Sequence, residues 1–244
     1  MLTMMAIRTR TVTITDMALT ESGQMAELAL LRLMYLVSPA LPIGAYAYSQ
    51  GQEYAVDSGW IHDAETLCDW LGGLLRTGLA QLDLPLLARS YRAWCSADDD
   101  AITHWNNALR ANRETHELLF EDEQLGLALG RILATHGITR QALLAKPSYV
   151  SVFALAGAEW HIPLDSLMQG FVWSWLENQV AAGSKTIPLG QTQAQHIFAK
   201  LTPEIPELCR RALTLEDEDI GAGLPGLALA SCLHERQYSR LFRS

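Results

Sequence analysis

The chain has 244 residues, 49% of them apolar and 18% charged, with 27 acidic against 18 basic side chains and a net charge of −9. That composition excludes a disordered chain, which needs little apolar content and much charge. It also argues against a nucleic-acid partner, because backbone phosphates call for clustered Lys and Arg. Leu (40) and Ala (31) far outnumber Val (7) and Ile (12). The first pair favours helices and the second favours strands, so the expectation is an all-α protein, a single bundle-like domain of about ten helices.

In residues 1–24, Thr9, Thr11, Thr13 and Thr15 alternate with Arg10, Val12 and Ile14. A lone strand there has no partner, so the segment reads as a flexible N-terminal extension, with Met17 and Met25 as alternative starts. The helical domain is expected over 25–233, and a tail over 234–244. The first helix is predicted at 26–37 and ends at a loop with Pro39, Pro42 and Gly44. A second is predicted at 46–57. A third follows Asp63, a good N-cap, with Leu67, Leu71, Leu74, Leu75, Gly78, Leu79 and Leu82 on one face.

Between Pro85 and Pro147 no proline occurs, which leaves room for helices at 86–96, 101–120 and 122–135, the last ended by Gly137. The acidic run Asp98, Asp99, Asp100 suits the N-terminus of the middle one. Residues 149–158 alternate like a strand but have no ladder to join, so they are read as helix. A strong helix is predicted over 164–182, stopped by Gly183, followed by helices at 192–200, 203–213 and 224–234. No stretch reaches the ~18 uninterrupted apolar residues of a membrane span, and no apolar run follows Arg8 and Arg10 as a signal peptide requires. A cytoplasmic protein with no membrane partner is expected, its four cysteines (Cys68, Cys95, Cys209, Cys232) reduced and mostly buried.

Several catalytic signatures fail on a physical requirement. His116-Glu117 and His234-Glu235 lack the second His four residues on that a zinc protease needs; Phe120 and Tyr238 stand there. Both pairs are read as surface or capping residues. The glycines at 221, 223 and 226 match a dinucleotide motif by letter but follow an acidic run instead of a buried strand. Gly183-Ser184-Lys185-Thr186 ends like a phosphate-binding loop, yet the first glycine of that motif would fall at Asn178. No Glu-x-x-His pair or histidine cluster is present. The residues therefore supply no catalytic set and no metal site, and a binding module is expected.

Three segments are distinctive: SPALPIGAYAYSQGQE at 38–53, WLENQVAAGSKTIPLGQT at 175–192, and HERQYSRLFRS at 234–244. In this order they resemble the UreF family of urease accessory proteins, over about 27–244. The resemblance implies an all-helical homodimer without activity or cofactor of its own. Such a protein bridges UreD (also called UreH) and the GTPase UreG, and through them acts on apo-urease, with nickel in transit. Tyr46, Tyr48 and Glu53 follow a rigid loop of the kind that fixes side chains at functional surfaces. Lys185 matches a family lysine and is a candidate contact for UreG, with Gln191 beside it; Gln191 and Thr192 are candidate caps for the next helix. In the tail, Tyr238, Leu241 and Phe242 are apolar anchors, while Arg236, Arg240 and Arg243 offer bidentate contacts. The resemblance assigns the tail to UreD binding and Arg240 to ordering it; an arginine finger that activates UreG is the alternative. A chain so short of charge is also expected to expose an apolar patch larger than a few hundred Å², including Tyr238 and Phe242.

Overall fold

The computed structural model describes the backbone over residues 14–221 and 223–244, and side chains from residue 23 onward. The predicted extension falls partly outside it: residues 1–13 are not among the described residues, while 14–24 already belong to the first helix. Eleven α-helices and no strand occur among the described residues. They are α1 (Ile14–Leu36), α2 (Gln52–Asp57), α3 (Ala64–Gly73), α4 (Leu84–Ser96), α5 (Asp99–Ala111), α6 (His116–Thr135), α7 (Tyr149–Glu159), α8 (Leu164–Thr186), α9 (Gln191–Leu201), α10 (Ile205–Leu213) and α11 (Pro225–His234).

Helix α7 lies at the centre, packed by α4, α5, α6 and α8. Its residues 150–158 are all buried. A helix that is apolar all round must be enclosed all round, which resolves the ambiguous alternation of this segment. Asn106 on α5 fastens its start: the Ser148 N–H donates to Asn106 Oδ1 at 2.8 Å, and Asn106 Nδ2 donates to Lys146 O at 3.0 Å. Cores of this kind gain roughly 1.5–3 kcal/mol for each large side chain fully buried, and Trp94, Phe153, Leu67 and Leu71 are among those here.

Helix α3 begins as expected, with Asp63 Oδ1 accepting from Thr66 N–H at 2.8 Å. It does not stop before Pro85. The chain runs on through a π-helical segment, Leu74–Asp83, straight into α4. Pro85 has no N–H to offer the carbonyl of Gln81. That carbonyl instead accepts from Gly221 N–H at 3.0 Å, which ties the loop before α11 to the rod.

Three predicted boundaries are corrected. The second helix is not continuous from 46: Ala45–Ala47 forms one 3-10 turn, and the chain bends at Gln50 and Gly51, both at positive φ, before α2 begins. The break in the proline-free stretch falls at 112–115 and not at 121, because Thr115 caps α6 by accepting from Leu118 N–H at 3.2 Å. Gly183 does not stop α8, which continues to Thr186. It is buried in close contact with α3, where a Cβ would lie 2.5 Å from Leu67 Cδ2. Lys185 thus stands on the last helical turn and not in a loop.

Candidate functional site

The 38–51 loop, α2, the start of α6 and the end of α11 converge on one place, and the tail folds back into it. Its main chain is held at five points. Leu241 N–H donates to Glu53 Oε1 at 2.6 Å and Phe242 N–H to Glu53 Oε2 at 2.9 Å. Arg243 N–H donates to Ala47 O at 2.8 Å. The Ser244 carbonyl oxygen accepts from Ser49 N–H at 2.7 Å and Ser49 Oγ at 2.6 Å. Hydrogen bonds to a charged acceptor are about twice as strong as neutral ones, so Glu53 is the main anchor.

Glu53 is itself held by a buried polar cluster. His234, fully buried, places Nε2 3.2 Å from Glu53 Oε2 and Nδ1 2.8 Å from Glu117 Oε2. The other oxygen of Glu117 accepts from Arg240 Nη1 at 2.8 Å. Beneath them Thr115 Oγ1 and Ser231 Oγ lie 2.7 Å apart, joining the α6 cap to α11. The reading of both His-Glu pairs as surface or capping residues is therefore corrected for Glu117 and His234, which are 6% and 0% exposed. Both ring nitrogens of His234 face carboxylates, so none is left to serve as a base for a nucleophile.

Fixing the main chain decides which tail side chains face outward. Tyr238 is fully exposed, and Leu241 is 63% exposed. Phe242 turns inward and is 5% exposed, which corrects its expected place in an outer apolar patch. Lys185 Nζ stands 5.4 Å from the Phe242 ring centroid and 5.9 Å from that of Tyr46, in cation–π range. Tyr46 is exposed beside it, whereas Tyr48 is buried. Burial pushes the Tyr48 phenol above its ordinary value, partly offset by a hydrogen bond with Arg243. Of the residues singled out from the sequence, Tyr46, Tyr48, Glu53, Lys185, Arg240, Leu241, Phe242 and Arg243 come together, with Tyr238 on the same tail. Gln191 stands apart at the first turn of α9, and neither it nor Thr192 caps that helix; Gln193 Oε1 accepts from Gly190 N–H at 2.9 Å.

Behind the tail lies a cavity of about 240 Å³. Its wall is mostly aliphatic, with an acidic band formed by Asp83, Glu114, Glu121, Asp122 and Glu177, in which Arg113 is the one basic side chain among the described residues. Arg113 Nη2 bridges Asp83 at 2.6 Å and Asp122 at 3.2 Å. Burial works against the Arg113 charge, yet the two carboxylates hold its pKa well above the ordinary value. Burial raises Asp122 as well, and pushes the Glu121 carboxyl up to about 7. Glu121 accepts from Gln50 Nε2 at 2.9 Å and Ser244 Oγ at 2.8 Å, so one side chain belongs to both the tail's seat and the cavity wall. No group of three or more His, Cys, Asp or Glu among the described residues is arranged to hold a metal ion. All four cysteines are free thiols, Cys68 and Cys209 buried as expected, Cys95 and Cys232 exposed.

The residues missed in the sequence, Ser49, Glu117, Glu121 and His234, had no short-range signal. The two contacts of His234 join positions 117 and 181 apart in the chain.

The profile of the family described as UreF matches residues 61–202. Relatives named urease accessory protein UreF cover nearly all of their own length with this chain. The one from Teredinibacter turnerae is 58% identical, over 88% of this chain and 98% of the relative. That from Chromohalobacter salexigens is 51% identical, over 89% and 95%. The chain belongs to the UreF family. The three segments that carried the resemblance thus stand in a member of a family whose name ties it to urease. Two of them, 38–53 and 234–244, are the two halves of the tail's seat, and the third supplies Lys185 above it.

Proposed function

We propose that this chain works in urease maturation as a non-enzymatic adaptor of the cytoplasm. It joins UreD/UreH to the GTPase UreG and, through them, to apo-urease, so that nickel is delivered as cargo. The observation that carries the reading is the tail. Its main chain is fixed by Glu53, Ala47 and Ser49, yet Tyr238 and Leu241 are left exposed beside Tyr46. Apolar anchors on a pre-ordered backbone lose little conformational entropy on docking, and tyrosine is enriched at binding hot spots. The acidic cavity behind the tail is compatible with passage of a divalent cation that is never tightly held.

Arg240 favours the adaptor over an arginine finger. Its guanidinium is paired with Glu117, and a finger would have to give up that contact to reach a nucleotide. A second copy of this chain is the further partner, on the apolar face of α1.

The test mixes the chain with UreD and UreG and follows complex formation by gel filtration. A ternary complex is expected. Tyr238→Ala with Leu241→Asp, which leaves the seat intact, is expected to weaken UreD binding at least tenfold, a loss of about 1.4 kcal/mol. If the wild-type chain forms no complex under any nucleotide or nickel condition, the reading fails.

A further inference from the structure

The tail's seat and the cavity share a wall, and the shared residues form one continuous line of hydrogen bonds. Ser244 Oγ donates to Glu121 Oε2 at 2.8 Å. Gln50 Nε2 donates to Glu121 Oε1 at 2.9 Å. Trp175 Nε1, on α8, donates to Gln50 Oε1 at 2.8 Å. Gln50, Glu121 and Trp175 all line the cavity, whereas Ser244 belongs to the docked tail. Gln50 sits at φ +53, a left-handed conformation that non-glycine residues seldom adopt. Its bridging of Glu121 and Trp175 holds it there, and strain of this kind persists only where surrounding contacts over-determine it.

We propose that Ser244, Glu121, Gln50 and Trp175 form a relay that transmits the state of the tail to the wall of the cavity, so that seating the tail and setting the charge of Glu121 in that wall are one event. The inference rests on the tail being the partner-binding segment. In the seated state Glu121 is enclosed and its two donors fix its carboxyl group. When the tail leaves its seat, Glu121 loses the Ser244 hydroxyl and gains water, and the carboxylate form is favoured. The cavity wall then carries a further negative charge beside Asp122 and Glu177. Gln50 keeps both of its partners, but its amide now donates to a charged acceptor, and the Trp175 indole on its other end feels the change. By linkage the coupling is reciprocal: a cation in the cavity favours the open tail as strongly as the open tail favours the cation.

The groups that face Glu121 set the terms of this switch. Gln50 comes from the loop and Ser244 from the tail. Arg113 from the turn before α6 favours the charged form, and Asp122 on α6 opposes it. Tyr48, buried nearby, responds to Glu121 in turn. Burial is the largest influence and places the carboxyl at about 7, a range in which a modest change in surroundings moves the charge.

The relay can be read on the isolated full-length chain without any partner. The indole N–H resonance of Trp175, assigned by comparison with Trp175→Phe, is followed by heteronuclear NMR from pH 5 to pH 9. The expected result is a titration with a midpoint near 7 that vanishes in Glu121→Gln. In Ser244→Ala the midpoint moves upward, because the carboxylate has lost a donor. A Trp175 signal that stays flat in the wild type overturns the proposal. So does one that titrates unchanged in Glu121→Gln, or keeps its midpoint in Ser244→Ala. Failure here leaves complex formation with UreD and UreG untouched, and failure of that complex leaves the titration untouched, so the two readings fall separately.

Discussion

At the scale of single residues, the site is an arrangement of buried charge, and each charge answers to a named partner. Glu53 and Glu117 lie almost fully inside, with both nitrogens of His234 between them in hydrogen-bond range and Arg240 paired to Glu117 at the edge. Removing one member of such a set leaves an uncompensated buried charge, which typically costs 3–5 kcal/mol. Glu121 differs because its carboxyl faces two neutral donors and no direct cation. Burial holds its pKa at about 7 against an ordinary 4.5. Between those values the folded chain keeps a proton that the unfolded chain has released, so stability falls as pH rises through that window. The penalty is absent below 4.5 and complete above 7, and Glu121→Gln removes it. The variant and the wild type are therefore expected to melt together near pH 4.5. Near pH 8 the variant is expected to melt higher, by a margin on the order of 2–3 kcal/mol, with each kcal/mol worth about 2–4 °C in a chain of this size. Melting curves by circular dichroism at the two pH values check this, and a gap that does not widen with pH refutes it.

At the scale of elements, tight helix packing depends on small residues at crossing points. Gly126 on α6 is one. A Cβ there would collide with the carbonyl oxygen of Pro147, which is main chain and cannot swing aside. Gly73, at the end of α3, is exposed in ordinary helical geometry with nothing within 4 Å. Gly126→Ala is expected to cost roughly 1–3 kcal/mol by overpacking, and Gly73→Ala to gain roughly 0.4–1 kcal/mol by restricting the unfolded chain. Differential scanning calorimetry should give melting temperatures shifted in opposite directions; equal shifts would refute the packing account. The same contrast explains what the sequence could disclose. Periodicity and caps revealed α3 and α8, because their apolar spacing and the Asp63 cap are local signals, whereas α7 alternated like a strand and was read as helix only because a strand there had no ladder to join. Gly183 read as a stop because sequence does not say whether a glycine ends a helix or lets a neighbour approach; Leu67 decides that in space. The break at 112–115 was missed because it holds no proline or glycine, only the Thr115 cap. The tail and the 38–53 loop stood out separately, but their union through Glu53 spans 188 positions and has no local trace.

At the scale of the whole molecule, the shortage of charge has a location. Helix α1 meets the body chiefly along α8, burying Ala29 and Leu36. Met25, Leu28, Leu30, Leu31 and Met34 remain 46–62% exposed on it. Beside this face runs an apolar groove lined by Leu33, Met34, Gly170, Trp173, Ile205 and Pro206. The tail contributes far less, since Phe242 is turned inward. Monomeric proteins seldom leave such a face to water. We propose a second copy of this chain as the occupant, because a two-fold axis beside α1 would bring one apolar face against its equal and let each groove receive the other helix. An interface of ordinary size buries about 1,600 Å² in total, within reach of two helices of 23 residues laid across each other. Leu31→Glu with Met34→Glu places two unpaired negative charges per copy inside that interface, on a chain already at −9. Both positions are solvent-exposed in the monomer, so the fold itself should tolerate the change. Light scattering is expected to give twice the chain mass of 27.0 kDa for the wild type and a single chain mass for the double variant, with unchanged helical circular dichroism. A variant that keeps the doubled mass would place the dimer elsewhere, and a wild type that is monomeric across the accessible concentration range would leave the α1 face to a different protein.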